Sequence, residues 1–191
     1  MSLHTLILAA GRGSRFGGDL KQLADIAGET MLQRAVGLAQ AVTPERVSVV
    51  LGYEHEKLRL LVKSAHTFVN PNWQTGIGGS IAFGVASLPA SASAVLIYLC
   101  DQVALSEADL KRLCTTFEDE KSRITCAAYA GGFGVPAIFP RAYFPQLIAL
   151  EGDSGAKQLL HANPVISIPL EAAAIDIDTY EQWLKFTANS V

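Results

Sequence analysis

Short apolar runs alternate along this chain with segments whose apolar positions recur every three or four residues. Leu3–Ala9, Val47–Leu51 and Ala94–Leu99 are nearly unbroken apolar stretches, the pattern of strands covered on both faces. Residues 67–69 and 174–177 read as shorter strands, and Ile124–Tyr129 and 135–139 as two more around a turn over Gly131, Gly132, Phe133 and Gly134. The helical period predicts a helix over 30–42 (Met31, Leu32, Ala35, Val36, Leu38 and Ala39 on one face, Thr30 as N-cap). Further helices are expected over 54–64, over 81–87 behind a glycine-rich loop, over 106–117 capped by Ser106 and Asp109, over 154–161, and over 179–186 capped by Thr179. Strands and helices that alternate in this way make a Rossmann-like three-layer α/β/α sandwich around a mostly parallel sheet. Ligands of such sheets lie beyond the carboxyl ends of the strands. Residues 11–18, Gly52 and Asp101 each follow a predicted strand, so they are expected on one edge. With no repeat, low-complexity stretch or linker, residues 1–191 are read as a single domain.

Composition narrows the function classes. Half of the 191 residues are hydrophobic, 17% are charged and the net charge is −3. That excludes a disordered chain and leaves no basic surface for nucleic acid or for a membrane, so an anionic substrate must be held by a few local cations. The apolar run at 3–10 is far shorter than the roughly 20 residues of a membrane span; it lacks a charged n-region and runs straight into a glycine-rich loop, so it is not read as a signal peptide. Cys100, Cys114 and Cys126 are widely spaced and form no CxxC pair, as expected of a soluble, cytoplasmic protein.

The chemistry concentrates in the loop AAGRGSRFGGDLKQ, residues 9–22. Gly11, Gly13, Gly17 and Gly18 allow backbone N–H groups to turn toward one anion, and Arg15 and Lys21 bring positive charge. A dinucleotide fingerprint fails because Phe16 stands where a third glycine is needed; a P-loop fails because Asp19, not lysine, follows Gly18.

The run Leu8, Ala9, Ala10, Gly11, Arg15, Gly17 or Gly18, and Lys21 resembles the LAAGxxxRxGxxK signature of the MobA-like nucleotidyltransferases. The resemblance continues in order through Asn70 and WQTGIGGS at 73–80, CDQ at 100–102, GFGVPAIFP and LEGDSGAKQLL within 132–160, and DIDTYEQW at 176–183. The later segments are most similar to molybdenum cofactor cytidylyltransferases. Departures are the later position of Lys21, Val103 and Tyr180 where relatives carry proline, and Gly134–Val135 where many carry Arg-Gly. The resemblance implies a nucleotide site built from Leu8, Ala9, Ala10, Gly11, Gly13, Ser14, Arg15 and Lys21, together with Gly78 and Ser80. Ser80 is either a polar contact or the N-cap of the next helix, and Asn70 either faces the cleft or forms a turn before Pro71.

Nucleotidyl transfer asks for positioning and for stabilisation of charge on phosphate oxygens. Mg²⁺ suits this, with oxygen ligands and one or two protein carboxylates. Asp101, at the end of a predicted strand, is the leading ligand. The resemblance makes Asp178 the second; Asp176, two residues away and on the same face if the segment is a strand, is its alternative. Asp178 as an N-cap is the competing reading. The catalytic set is therefore Arg15, Lys21 and Asp101. The segment 152–157 is a candidate anion support near Lys157, with Asp153 ordering the loop, and Cys100 reads as a core residue. By resemblance the chain transfers a nucleoside monophosphate from CTP to the phosphate of a molybdopterin-type cofactor, serving a molybdoenzyme partner. The alternatives are a GTP-using enzyme, a sugar- or polyol-phosphate nucleotidyltransferase, or a non-catalytic nucleotide or cofactor carrier.

Overall fold

The computed structural model describes residues 2–17 and 20–189, so Gly18 and Asp19, part of the loop reading above, lie outside the described residues. In chain order the elements are β1 (Leu3–Ala9), a small hairpin of β2 (Asp25–Ile26) and β3 (Glu29–Thr30), α1 (Met31–Val42), β4 (Val47–Leu51), α2 (His55–Arg59), β5 (His66–Val69), α3 (Ile77–Ala86), β6 (Ala94–Leu99), α4 (Glu107–Asp119), β7 (Ile124–Tyr129), β8 (Gly132–Pro140), α5 (Phe144–Ile148), α6 (Lys157–Ala162), β9 (Val165–Pro169) and α7 (Tyr180–Ala188). The main sheet runs β5-β4-β1-β6-β8-β7-β9, and β8 alone is antiparallel to its neighbours.

Alternation along the strands sends successive residues to opposite faces. Ile7, Val49, Leu96 and Tyr98 point to one side, where Leu32 and Ala35 of α1, Leu58 of α2 and Leu110, Leu113 and Phe117 of α4 cover them. Leu6, Leu8, Val50 and Ile97 point to the other, covered by Ile81 and Val85 of α3, Leu147 of α5 and Leu159 and Leu160 of α6. This is the three-layer arrangement expected from the alternating pattern. Both neighbours of β1 are parallel, and the chain leaves it toward β4 and returns across it to β6, which makes the β1–β6 crevice the switch point of the sheet. A third cluster of Phe16, Ile26, Met31, Val103 and Ile177, backed by Trp183 and Phe186, sits outside the two main layers. It ties α7 to the loop after β1. Among the described residues no helix is long and apolar enough to cross a membrane.

Several local expectations are corrected. The turn between β7 and β8 is the pair Ala130 and Gly131, both at positive φ, so Gly132, Phe133 and Gly134 belong to β8. The helix expected over 54–64 spans only His55–Arg59, and α3 begins at Ile77, not at 81. The last strand is β9, not 174–177. Residues Glu171–Ala174 form a 3₁₀ turn, and Ala173 and Ile177 bury themselves in separate clusters without pairing to the sheet. The strand that would have put Asp176 and Asp178 on one face therefore does not exist.

Candidate active site

A cleft of about 270 Å³ opens at the carboxyl ends of β1 and β6. Its walls include Leu8, Ala9, Ala10 and Gly11 from the end of β1, Trp73 and Ile77 from the segment entering α3, and Leu99, Cys100 and Asp101 after β6. Lys21, Gln22 and Ser80 complete it. Gly52 lets the walls approach: a Cβ there would stand 2.5 Å from Cβ of Trp73 and 2.7 Å from the carbonyl oxygen of Ala10. Tyr53 next to it packs edge-on against Trp73 and lies under the guanidinium of Arg12.

At one end of the cleft, charges converge. Lys21 Nζ donates to Oδ2 of Asp101 at 2.5 Å and to Oδ1 of Asp178 at 3.0 Å. Arg15 reaches the other oxygen of Asp178 at 2.8 Å. The side chains of Lys21 and Asp101 are each 12% exposed, against 72% for Arg15, so the first pair is shielded from water and the last is largely screened. Gly13 lies against the Lys21 stem, where a Cβ would stand 3.1 Å from Cγ.

Two anchors bring residues so distant in sequence together. The amide of Ile177 donates to the carbonyl of Asp101 at 3.1 Å, laying the segment before α7 alongside the end of β6. Gln102 braces the same corner: its Nε2 donates to the carbonyls of Val135 and Ala173, while its Oε1 accepts from the amide of Leu99. Val103, where relatives carry proline, donates its own N–H to the carbonyl of Asp101 at 2.9 Å, a bond proline would lack. Tyr180, the other such departure, stacks on Trp183 and meets the edge of Phe16, next to Arg15.

Burial dominates the titration of this corner. Desolvation, with the nearby charges of Asp176 and Asp178, lifts the carboxyl of Asp101 above the usual range against the pull of Lys21. Burial opposes the charge on Lys21, but Asp101 and Asp178 outweigh it and hold the ammonium protonated beyond its ordinary value. The Cys100 thiol is pushed up to about 12 by burial and by Asp101, which keeps it a neutral core group.

The structure thus gathers Leu8, Ala9, Ala10, Gly11, Lys21, Ser80 and Asp101 in the cleft, and Arg15 and Asp178 at its charged end. Ser14 is exposed beside it. Gly78 turns away: its N–H donates to the carbonyl of Gly152, and a Cβ would meet the carbonyl oxygens of Glu151 and Ser154 at 2.7 Å. The 151–154 loop therefore supports the first turn of α3, and Lys157 is exposed at the start of α6. Ser80 is inside α3, not at its N-cap; its hydroxyl accepts from Nδ2 of Asn70 and donates to the carbonyl of Gly76. Asn70 is buried, and its Oδ1 accepts from the amide of Asn72, so the turn reading is the one realised. Thr179 caps α7 with Gln182, which leaves the carboxylate of Asp178 to Lys21 and Arg15. Asp176 is exposed.

Sequence reasoning missed Gln22. It is 1% exposed; its Nε2 donates to the carbonyls of Ala9 and Gly11, and its Oε1 has no partner among the described residues. Only its place beside Lys21 could have marked it. Asp101 Oδ1 is likewise buried without a partner. Unpaired buried acceptors of this kind cost on the order of 1–3 kcal/mol each.

A three-layer α/β/α sheet with a glycine-containing loop, Lys21 and two carboxylates gathered at its switch point is an α/β protein with a candidate anion-binding site. The chain belongs to the family described as the MobA-like NTP transferase domain, whose model matches residues 5–166. It is 28% identical over 194 residues to nicotine blue oxidoreductase of Paenarthrobacter nicotinovorans, covering 94% of each. It is 29% identical over 126 residues to the bifunctional protein GlmU of Streptococcus pyogenes, a match that takes in 65% of this chain but 30% of that protein. Among solved structures it is similar to Rv0371c of Mycobacterium tuberculosis, with a TM-score of 0.86, 24% identity and coverage of 98% and 99% of the two chains. Rv0371c has also been crystallised with manganese.

Proposed function

We propose that the chain transfers the nucleoside monophosphate of CTP to the terminal phosphate of a molybdopterin-type cofactor, with Mg²⁺ as the divalent ion. The observation that carries this reading is the convergence of Asp101, Asp178 and Lys21 at the mouth of a cleft walled by the loop after β1. The residues fit a magnesium ion. The donors are carboxylate oxygens, and Asp101 keeps a buried Oδ1 without a partner among the described residues, while Lys21 and Arg15 hold the other three oxygens of the two carboxylates. Magnesium characteristically takes one or two carboxylates and fills its remaining positions with water and substrate oxygens. Asp101 and Asp178 would hold it, and it would supply positive charge to the phosphate oxygens.

In the transfer, an oxygen of the acceptor phosphate attacks the α-phosphorus. The new P–O bond forms as the bond from the α-phosphorus to the α,β-bridging oxygen breaks, and pyrophosphate departs with the electron pair. The chain's own part is positioning and electrostatics. Amides of the loop after β1 would face the triphosphate, and Lys21 and Arg15, now paired to carboxylates, would neutralise its oxygens. Leu8, Ala9, Ala10, Ser80 and Trp73 line the space for base and ribose. The manganese in the Rv0371c crystals supports a divalent ion. The name of nicotine blue oxidoreductase raises a redox reading as an alternative.

The test is pyrophosphate release from CTP, GTP, UTP or ATP with Mg²⁺, using molybdopterin and a panel of sugar and polyol phosphates as acceptors. The expected result is release with CTP and molybdopterin, reduced by about 10²–10³-fold in Asp101→Asn. Release with GTP or with a sugar phosphate reassigns the substrate. Triphosphate binding without any release supports a carrier.

A further inference from the structure

Gln22, itself in the wall of the cleft, holds the strand-to-loop turn. Its Nε2 donates to the carbonyl of Gly11 at 2.7 Å and to that of Ala9 at 3.1 Å, and the carbonyl between them, on Ala10, accepts from the amide of Tyr53 at 3.0 Å. In a planar trans peptide the carbonyl of one residue and the N–H of the next point in opposite directions. Fixing the carbonyls of Ala9 and Gly11 therefore fixes the direction of the N–H groups of Ala10 and Arg12. Ala9, Ala10 and Gly11 wall the cleft, so one side chain sets the aim of loop amides in its wall.

That hold comes with a cost. Gln22 Oε1 is buried without a partner among the described residues, and an apolar side chain of the same shape would avoid an unpaired acceptor. A residue kept only to fill the core would not be an amide. We propose that Gln22 is the positioning residue of the nucleotide site. It acts through the carbonyls of Ala9 and Gly11 to hold the loop amides in the orientation that receives a nucleoside triphosphate. This inference rests on the nucleotidyltransferase reading above.

The experiment compares wild type, Gln22→Met and Gln22→Glu by thermal melting, by amide hydrogen exchange at residues 10–12 without ligand, and by calorimetric titration with CTP and Mg²⁺. Gln22→Met keeps the shape and removes both the donor and the unpaired acceptor. It is expected to exchange faster at residues 10–12 and to bind CTP roughly tenfold more weakly, whichever way the melting temperature moves, since losing the donor strands two carbonyls while losing Oε1 removes an unpaired acceptor. A purely structural role predicts that affinity and loop exchange are retained even where the melting temperature falls. Wild-type exchange at the loop, or affinity within about twofold of wild type, overturns the proposal. Should Gln22→Met fail to fold, Gln22→Glu decides by the same two readings, since its carboxylate sets an acceptor against both carbonyls and must release them. Failure of both variants to fold assigns Gln22 to structure and also overturns it. A wild type that binds no triphosphate removes the nucleotidyltransferase reading, while the exchange data still report separately on the hold over the loop.

Discussion

One ammonium, that of Lys21, stands between the carboxylates of Asp101 and Asp178, and Asp176 adds a further negative charge nearby. The sign of the resulting pH dependence follows from burial. The carboxyl of Asp101 sits above its ordinary range, so it takes up its proton while the pH is still higher than an exposed aspartate would require. Its carboxylate form, needed for a metal ion, is lost as pH falls through that raised value. Removing one contributor should move the limb. In Asp176→Asn the acid limb of kcat/KM is expected to shift to lower pH, with the plateau little changed. A pH profile of kcat/KM checks this, and an upward shift would contradict the assignment. Lys21 and Asp101 were legible in the sequence because each follows a recognisable element. Gln22 was not, because its role consists of two bonds to backbone carbonyls that no side-chain pattern records.

At the scale of elements, α7 secures the charged corner. Phe16, 4% exposed, packs between Tyr180 and Trp183 with ring centroids 5.9 and 6.4 Å away. Trp183 also donates its indole N–H to the carbonyl of Asp25 at 2.7 Å. Phe16 adjoins Arg15, and α7 begins two residues after Asp178. Phe16→Ala is therefore expected to cost about 3 kcal/mol in urea unfolding and to weaken triphosphate binding as Arg15 and Asp178 loosen. A stability loss with unaltered binding would separate the cluster from the site. The capping boxes at Thr30, Ser106 and Thr179 appear where the sequence places those caps, since a cap is satisfied within one turn of chain. Strand β9 escaped because it is short and only partly covered at the edge of the sheet. Residues 174–177 look like a strand because Ala174, Ile175 and Ile177 are apolar, yet Ile177 is buried by Phe16 and Val103 and not by strand pairing.

For the molecule as a whole, binding across the β1–β6 crevice should be readable as stability. A triphosphate that binds the folded chain alone, present with Mg²⁺ at 100 times its Kd, should add about 2.7 kcal/mol. A chelator is expected to remove most of that gain while leaving the ligand-free melting temperature unchanged. Thermal melts with each triphosphate, with and without chelator, check this; a gain that survives chelation would point away from a metal-linked site. By itself the sequence determined the layered α/β/α architecture, because the periods of apolar residues specify which faces must be covered. It also determined that the glycine-rich loop and Asp101 share one edge, because parallel strands all end there. Only the tertiary structure decided which distant groups meet at that edge. The contact of Asp178 with Lys21 spans 157 residues of chain and depends on the amide of Ile177 finding the carbonyl of Asp101. Gly78 turning away from the cleft and Gln22 turning toward the loop were likewise decided there. Long-range hydrogen bonds between elements leave no periodic trace in a sequence, since each partner is chosen by where the fold brings it and not by its neighbours along the chain.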